Sequence, residues 1–321
     1  MNIAVKLSIL GLLSMMVVMI SPWLDFVAPS SAEIQQMIIH ELRIPRVLFA
    51  FTAGSGLALC GLVFQAMFRN PLATPFTLGV ASGASLGAAI SVYSGLSFTI
   101  LGLSATSLSA FAGALIAISF VYSISRFRFG FSGETLLLTG VAISFFFSSL
   151  ILFIQYLSNV ADSFQILRWL MGSLTVVGYQ ELKQLLPFVT LTAGVIIYLS
   201  RELNLLMAGD EIALSRGVSV KYVRYALFFV TSLCVGAIVA LCGPIGFVGM
   251  MVPHICRLII GEDHRYLIPA TLLFGGSFLV ICDTLARLVI APAELPVGVI
   301  TTLLGGPFFL WLLMRYKSRH A

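Results

Sequence analysis

An all-α polytopic membrane protein with about ten transmembrane helices is the fold class this sequence predicts, and three observations predict it. Of its 321 residues, 59% are hydrophobic and 10% charged, against roughly 45 to 50% apolar and about 25% charged in soluble domains. Apolar runs of the ~20 residues needed to cross a bilayer recur along the whole chain, and the charges fall between them. Ten such helices would use about 200 positions, which leaves no room for a soluble catalytic domain. The chain therefore reads as a single transmembrane domain over 1–321. Its 25 Phe, 9 Tyr and 3 Trp, spread along the length, exclude disorder.

Taken in order, the predicted spans cover 5–22, 46–68, 75–94, 99–122, 135–157, 185–200, 224–242, 246–260, 267–290 and 297–314. The first, with Lys6 followed by an apolar run from Leu7 to Ile20 and then Ser30-Ser31-Ala32, imitates a secretory leader. More membrane follows rather than a soluble body, so an uncleaved first helix is expected. In the third, Gly79, Gly83 and Gly87 recur every four residues on one helix face. They suit close helix packing or, as the alternative, the lining of a path. The eighth is interrupted by Gly243-Pro244 and Pro253 and is short for a bilayer, which leaves a re-entrant segment as its competitor. Gly243, Pro244, Gly246 and Gly249 allow a tight reversal there, with gating as a rival role.

Charge sets the expected orientation. With a cytoplasmic N-terminus, Lys6, Arg69, Arg126, Arg128, Arg201, Arg216, Lys221, Arg224, Arg257, Arg265, Arg315, Lys317 and Arg319 lie inside. Arg43, Arg46, Arg168, Lys183 and Arg287 lie outside, and this excess of inner cations favours both termini in the cytoplasm. The net charge of +5 thus reads as a topology signal rather than a nucleic-acid footprint.

Several chemistries are missing. None of the four lysines follows a glycine, so the G-x-x-x-x-G-K-[ST] phosphate loop is absent and the chain has no ATPase site of its own. Cys60, Cys234, Cys242, Cys256 and Cys282 form no C-x-x-C pair and read as small core residues. His40, His254, His264 and His320 are too scattered for a metal site, and His254 is expected to bond a backbone carbonyl. An ion-coupled carrier would need acids at mid-membrane, yet only Asp283 falls inside a span, where Arg287 one turn on pairs with it. No nucleophile and base stand together, so no catalytic residue is nominated.

The longest predicted inner connection, 201–223, carries the most information. Gly209-Asp210 offers a turn with Asp210 as helix N-cap, Glu211 to Ser215 a short helix holding Ala213, and Gly217 its left-handed C-cap beyond Arg216. A second short helix would start at Ser219. On residues alone the pair is either a plain connector or a docking element for another protein.

With this loop, seven segments stand in a particular order: LRIPR (42–46), QAMFRNPLATPFTLGVASGASLG (65–87), WLMGS (169–173), LNLLMAGDEIA (203–213), GPIGFVGMMVPHICR (243–257), EDHR (262–265) and ELPVGVITTLLGGPFF (294–309). Together they resemble the permease subunits of bacterial ABC importers for vitamin B12, iron siderophores and haem, whose membrane subunit has ten helices. The resemblance implies a single permease domain in the bacterial inner membrane. It pairs with a second permease subunit, identical or related, two cytoplasmic ATPase subunits and an external substrate-binding protein. ATP and magnesium would sit on the ATPase, with no cofactor or metal held by this chain. It assigns ATPase coupling to Gly209, Asp210, Glu211, Ala213, Arg216 and Gly217, where Arg216 replaces the family's common Leu, and binding-protein docking to Arg43, Arg46 and Arg287. Local pairing of Arg43 with Glu41 and of Arg287 with Asp283 is the competing explanation. Arg69-Asn70-Pro71 reads as a structural turn with ATPase contact as its alternative, and His264 and Arg265 as either an ATPase border or a solvated loop. The expected cargo is an iron chelate, then vitamin B12; an ion-coupled secondary transporter is the opposing class.

Overall fold

The computed structural model describes residues 2–24, 32–125 and 133–317. Ser30, Ser31, Arg126, Arg128, Arg319 and His320 lie outside the described residues. Among the described residues, seven helical stretches are long and apolar enough to span a membrane: Ile3–Trp23, Glu33–Phe68, Ala105–Ile124, Thr135–Leu157, Gln180–Tyr198, Val220–Cys242 and His264–Leu288. Three shorter apolar helices, Val80–Tyr93, Val248–Ile260 and Val297–Leu312, fall on the third, eighth and tenth predicted runs.

In chain order the helices are α1 (Ile3–Ile20), α2 (Ala32–Met37), α3 (Ile44–Phe68), α4 (Val80–Tyr93), α5 (Ala105–Ile124), α6 (Gly133–Leu157), α7 (Val160–Leu170) and α8 (Gln180–Tyr198). They continue as α9 (Ser200–Ala208), α10 (Asp210–Ser215), α11 (Val220–Cys242), α12 (Val248–Ile260), α13 (His264–Leu288) and α14 (Val297–Lys317). A π-helical turn, Ile38–Arg43, joins α2 to α3.

Local chemistry explains where these differ from the predicted spans. The third begins late because Thr74 and Thr77 form a capping box around a short 3₁₀ turn and Gly79 is left-handed at φ 77°. Gly79 therefore precedes α4 rather than sharing its face with Gly83 and Gly87. The fourth is shortened by a two-stranded hairpin, Thr99–Ile100 against Leu103–Ser104, after which Ser104 caps α5 by accepting from Ser107 N at 3.1 Å. Short α7 was not foreseen; Asn159 caps it by accepting from Asp162 N at 2.8 Å. The eighth run forms a 13-residue helix, Val248–Ile260, that continues through Pro253.

Helix α3 is the core of the bundle, buried along nearly its entire length. Its small residues let neighbours reach its backbone: a Cβ on Gly54 would overlap the Gly275 carbonyl on α13, and one on Gly61 the Gly249 carbonyl on α12. The same device joins α4 to α5, where Gly83 faces the Gly113 carbonyl and Gly87 that of Ser109. In lipid, where apolar contact alone gives helices little reason to associate, such close packing and polar cross-links supply the attraction. Helix α1 shows the second kind: its sole buried residue, Ser14, bonds Ser277 of α13 at 2.6 Å, and Ser21 bonds Thr284 at 2.7 Å. All five cysteines are buried as free thiols.

Candidate functional site: two charged ends of one helix

Arg46 and Arg69 sit at opposite ends of α3, 23 residues and so about 35 Å apart at 1.5 Å per residue. Each is tied to an acid from elsewhere in the chain, and between them they mark the two candidate sites.

At the Arg69 end, α9 and α10 form the two short helices of the 201–223 connection. The second is the one expected over Glu211–Ser215, but the other expected short helix, from Ser219, is the start of long α11, and α9 stands before Gly209 instead. Gly209 carries the chain between them at φ 129°, a conformation an L side chain resists, and Gly217 ends the second at φ 80°. Asp210 does not cap α10; no side-chain cap bond forms. Its Oδ1 instead accepts from Arg224 Nη2 at 2.8 Å and faces Arg69 Nη2 at 3.4 Å. That single carboxylate fastens α10 to the start of α11 and the end of α3. Ala213 is buried beneath the helix, whereas Glu211, Ile212, Leu214 and Arg216 are exposed.

Helix α9 is fastened separately. Asn204 Oδ1 accepts from His264 N at 3.0 Å and from His264 Nδ1 at 2.6 Å, which places the proton on Nδ1. Its Nδ2 donates to Asp263 Oδ1 at 2.9 Å, and Asp263 also caps α13 by accepting from Arg265 N. Those donors hold the Asp263 carboxyl below the usual carboxylate range, the Arg265 N–H first and the Asn204 amide second. His264 is thus buried at 1% exposure, which corrects both readings of it as a solvated or partner-facing residue. The Arg69-Asn70-Pro71 turn is as expected, with Asn70 Oδ1 accepting from Leu72 N, though Arg69 itself takes the left-handed conformation. His254 meets the edge of Phe308 at 6.1 Å rather than a carbonyl.

At the Arg46 end, Asp283 is 2% exposed and receives Arg46 Nε at 3.1 and 3.0 Å and Nη2 at 2.8 Å. Arg287, the partner expected from the i, i+4 spacing, stands farther off at 3.5 Å. Arg46 Nη1 also meets Glu294 at 2.7 Å. Arg43 donates to the Pro22 carbonyl at 3.3 Å. So of the three arginines expected to face a partner, Arg287 is buried at 7% exposure and Arg46 is largely enclosed at 13%. The Arg46–Asp283 pairing was invisible to spacing because it spans 237 residues; the signal available was that a lone acid inside a span requires a counter-ion at its own depth.

Beside this cluster the WLMGS, GPIGF and ELPVGV segments converge. A Cβ on Gly172 would strike the Pro244 carbonyl, one on Gly243 the Trp169 carbonyl, and one on Gly298 the Met171 carbonyl. Ser173 N donates to Cys242 O at 2.7 Å. Two cavities that share Met171 flank the junction. One of about 260 Å³ is lined by Arg46, Arg168, Ser173, Thr175 and Glu294 among others. The second, of about 310 Å³, is lined by Leu170, Pro244, Gly246, Gly298 and Thr302. Of the residues offered as packing or path, Gly83, Gly87 and Gly249 serve packing, while Pro244 and Gly246 border this open space.

The FecCD transport family profile matches residues 4–315. The hemin transport system permease protein HmuU of Yersinia pestis is 39% identical over 87% of this chain and 84% of its own. The cobalamin import system permease protein BtuC of Halobacterium salinarum is 40% identical over 92% and 78%. A solved transporter described as an inward-facing ABC transporter of metal-chelate type superposes with a TM-score of 0.87 at 32% identity, covering 96% of this chain and 98% of the other.

Proposed function

The chain belongs to the FecCD transport family, and on that premise we propose that it carries an iron chelate, a ferric siderophore or haem, handed over by an external substrate-binding protein. It is a multi-pass membrane permease component, and ATP hydrolysis belongs to a separate subunit. The active assembly is this chain with a second copy or a related permease, two ATPase subunits on the cytoplasmic side, and the binding protein outside. The distribution of Lys and Arg supports the Asp210 end as cytoplasmic, with both termini there and the membrane the bacterial inner one.

The observation that carries this reading is the surface of α10. Ile212 and Leu214 are exposed beside Glu211 and Arg216, on a helix fixed to two membrane helices through Asp210. An apolar patch held rigidly at the polar end of a bundle suits insertion into a cleft of the ATPase, whose closure would move α10 and through Arg224 and Arg69 tilt α11 and α3. Glu211, Ala213 and Arg216 take coupling roles as contact, floor and contact, and Gly209 and Gly217 as the turns that shape the loop. Arg43 and Arg46 serve docking of the binding protein, with Arg287 as inner support.

Relatives of almost equal identity carry names for hemin and cobalamin, which supports cargo selection by the binding protein and keeps vitamin B12 as the second reading. Uptake by proteoliposomes containing this chain, its ATPase and its binding protein tests the proposal. Accumulation should require ATP inside the ATPase compartment; accumulation without nucleotide, driven by a proton gradient, would reject it.

A further inference from the structure

Arg46 holds two carboxylates on one guanidinium, and the two are unequal. Asp283 takes Nε and Nη2 while 2% exposed; Glu294 takes only Nη1 and is 46% exposed. Separating Asp283 from Arg46 would strand a buried charge. Separating Glu294 loses a solvent-screened contact, of a kind that shifts an equilibrium by at most about fivefold. One carboxylate is therefore a fixture and the other replaceable.

We infer that Glu294 is an internal occupant of the Arg46 Nη1 position, exchanged for an acidic side chain of the binding protein when that protein docks. This rests on the docking reading of Arg46 given above. The exchange has somewhere to go: Arg168, exposed and without an ion pair among the described residues, lines the same cavity as Glu294 and can receive it. It also has a mechanical consequence. Glu294 lies three residues before Val297, the start of α14, and Leu295 N bonds Ala286 O at 3.0 Å. Its release removes the ion pair holding this connection to α3, next to the Gly298–Met171 contact that seats α14 on α7.

The test compares wild type, Glu294→Gln, Arg46→Lys and the double variant, each assembled with its ATPase in lipid nanodiscs, by the Kd of the binding protein at low salt. Arg46→Lys keeps a charge for Asp283 but lacks the fork that holds a second carboxylate, and thermal unfolding of each assembly checks that the bundle stays folded. Glu294→Gln should tighten docking two- to fivefold, Arg46→Lys should weaken it, and Glu294→Gln should have no effect on the Arg46→Lys background. Weaker docking in Arg46→Lys with no gain in Glu294→Gln overturns the exchange and leaves docking intact. An equal gain on both backgrounds reduces Glu294 to general surface charge and also overturns it. No effect of Arg46→Lys removes the docking role itself.

Discussion

Asp210 on α10 accepts a hydrogen bond at 2.8 Å from Arg224, a buried guanidinium one turn into α11. The residue that sequence reading makes a helix cap is thus the bolt between the short exposed helix and the membrane bundle. Removing its charge leaves Arg224 enclosed without a counter-ion, a cost of about 1 to 3 kcal/mol for a buried donor losing its partner.

Asp210→Asn should lower ATP-dependent uptake by about tenfold while the ATPase rate of the assembly persists, because α10 still enters its cleft but no longer drags α11. Asp210→Arg, which sets three cations together with Arg69 and Arg224, should uncouple completely. Uptake and ATPase rates measured in the same proteoliposomes decide this; equal loss of both would point to failed assembly instead.

The exposed residues of α10 should behave differently. Leu214→Asp places a charge in the apolar patch while leaving the Asp210 bolt untouched, so the ATPase subunit should fail to co-purify with a bundle of unchanged thermal stability. Retention of the ATPase by that variant would remove α10 from the interface.

At the other end of α3, Asp283→Asn should cost about 3 to 5 kcal/mol, since breaking a buried pair strands its cations. Glu294→Gln should cost under about 1 kcal/mol. Thermal unfolding in detergent should therefore separate them clearly, and similar losses would contradict the ranking by burial.

Close approach makes a matched pair of glycine tests. Gly61→Ala drives a methyl into the Gly249 carbonyl and should cost about 1 to 3 kcal/mol, whereas Gly246→Ala meets nothing within 4 Å and should fold normally. If Gly246→Ala slows uptake without unfolding, its place on the cavity wall accounts for it.

Asn204→Ala should loosen α9 from α13, with faster amide exchange across Ser200–Ala208. The pH dependence has a definite sign. Asp263 is held below its ordinary value of 3.8, so its contribution is complete above that value and lost only as pH falls through the lower folded one. Protection of α9, corrected for intrinsic exchange, should be flat from pH 7 to 5; a fall in that range would implicate another group.

Sequence alone determined the membrane architecture, the order of the apolar runs, the absence of a phosphate loop and the family. Those follow from composition, periodicity and contiguous motifs, which are properties of neighbours along the chain. It located the 201–223 connection, its two glycines and the short helix between them, yet misplaced the second short helix, because nothing local separates α9 from the end of α8 or stops α11 from starting at Val220. The tertiary structure alone decided the ion pairs. Arg46 chose Asp283 across 237 residues over any neighbour, Asp210 turned to Arg224 and Arg69, and His264 was buried by Asn204. A charge inside a bundle is matched by depth and direction, and these exist only after the helices have packed.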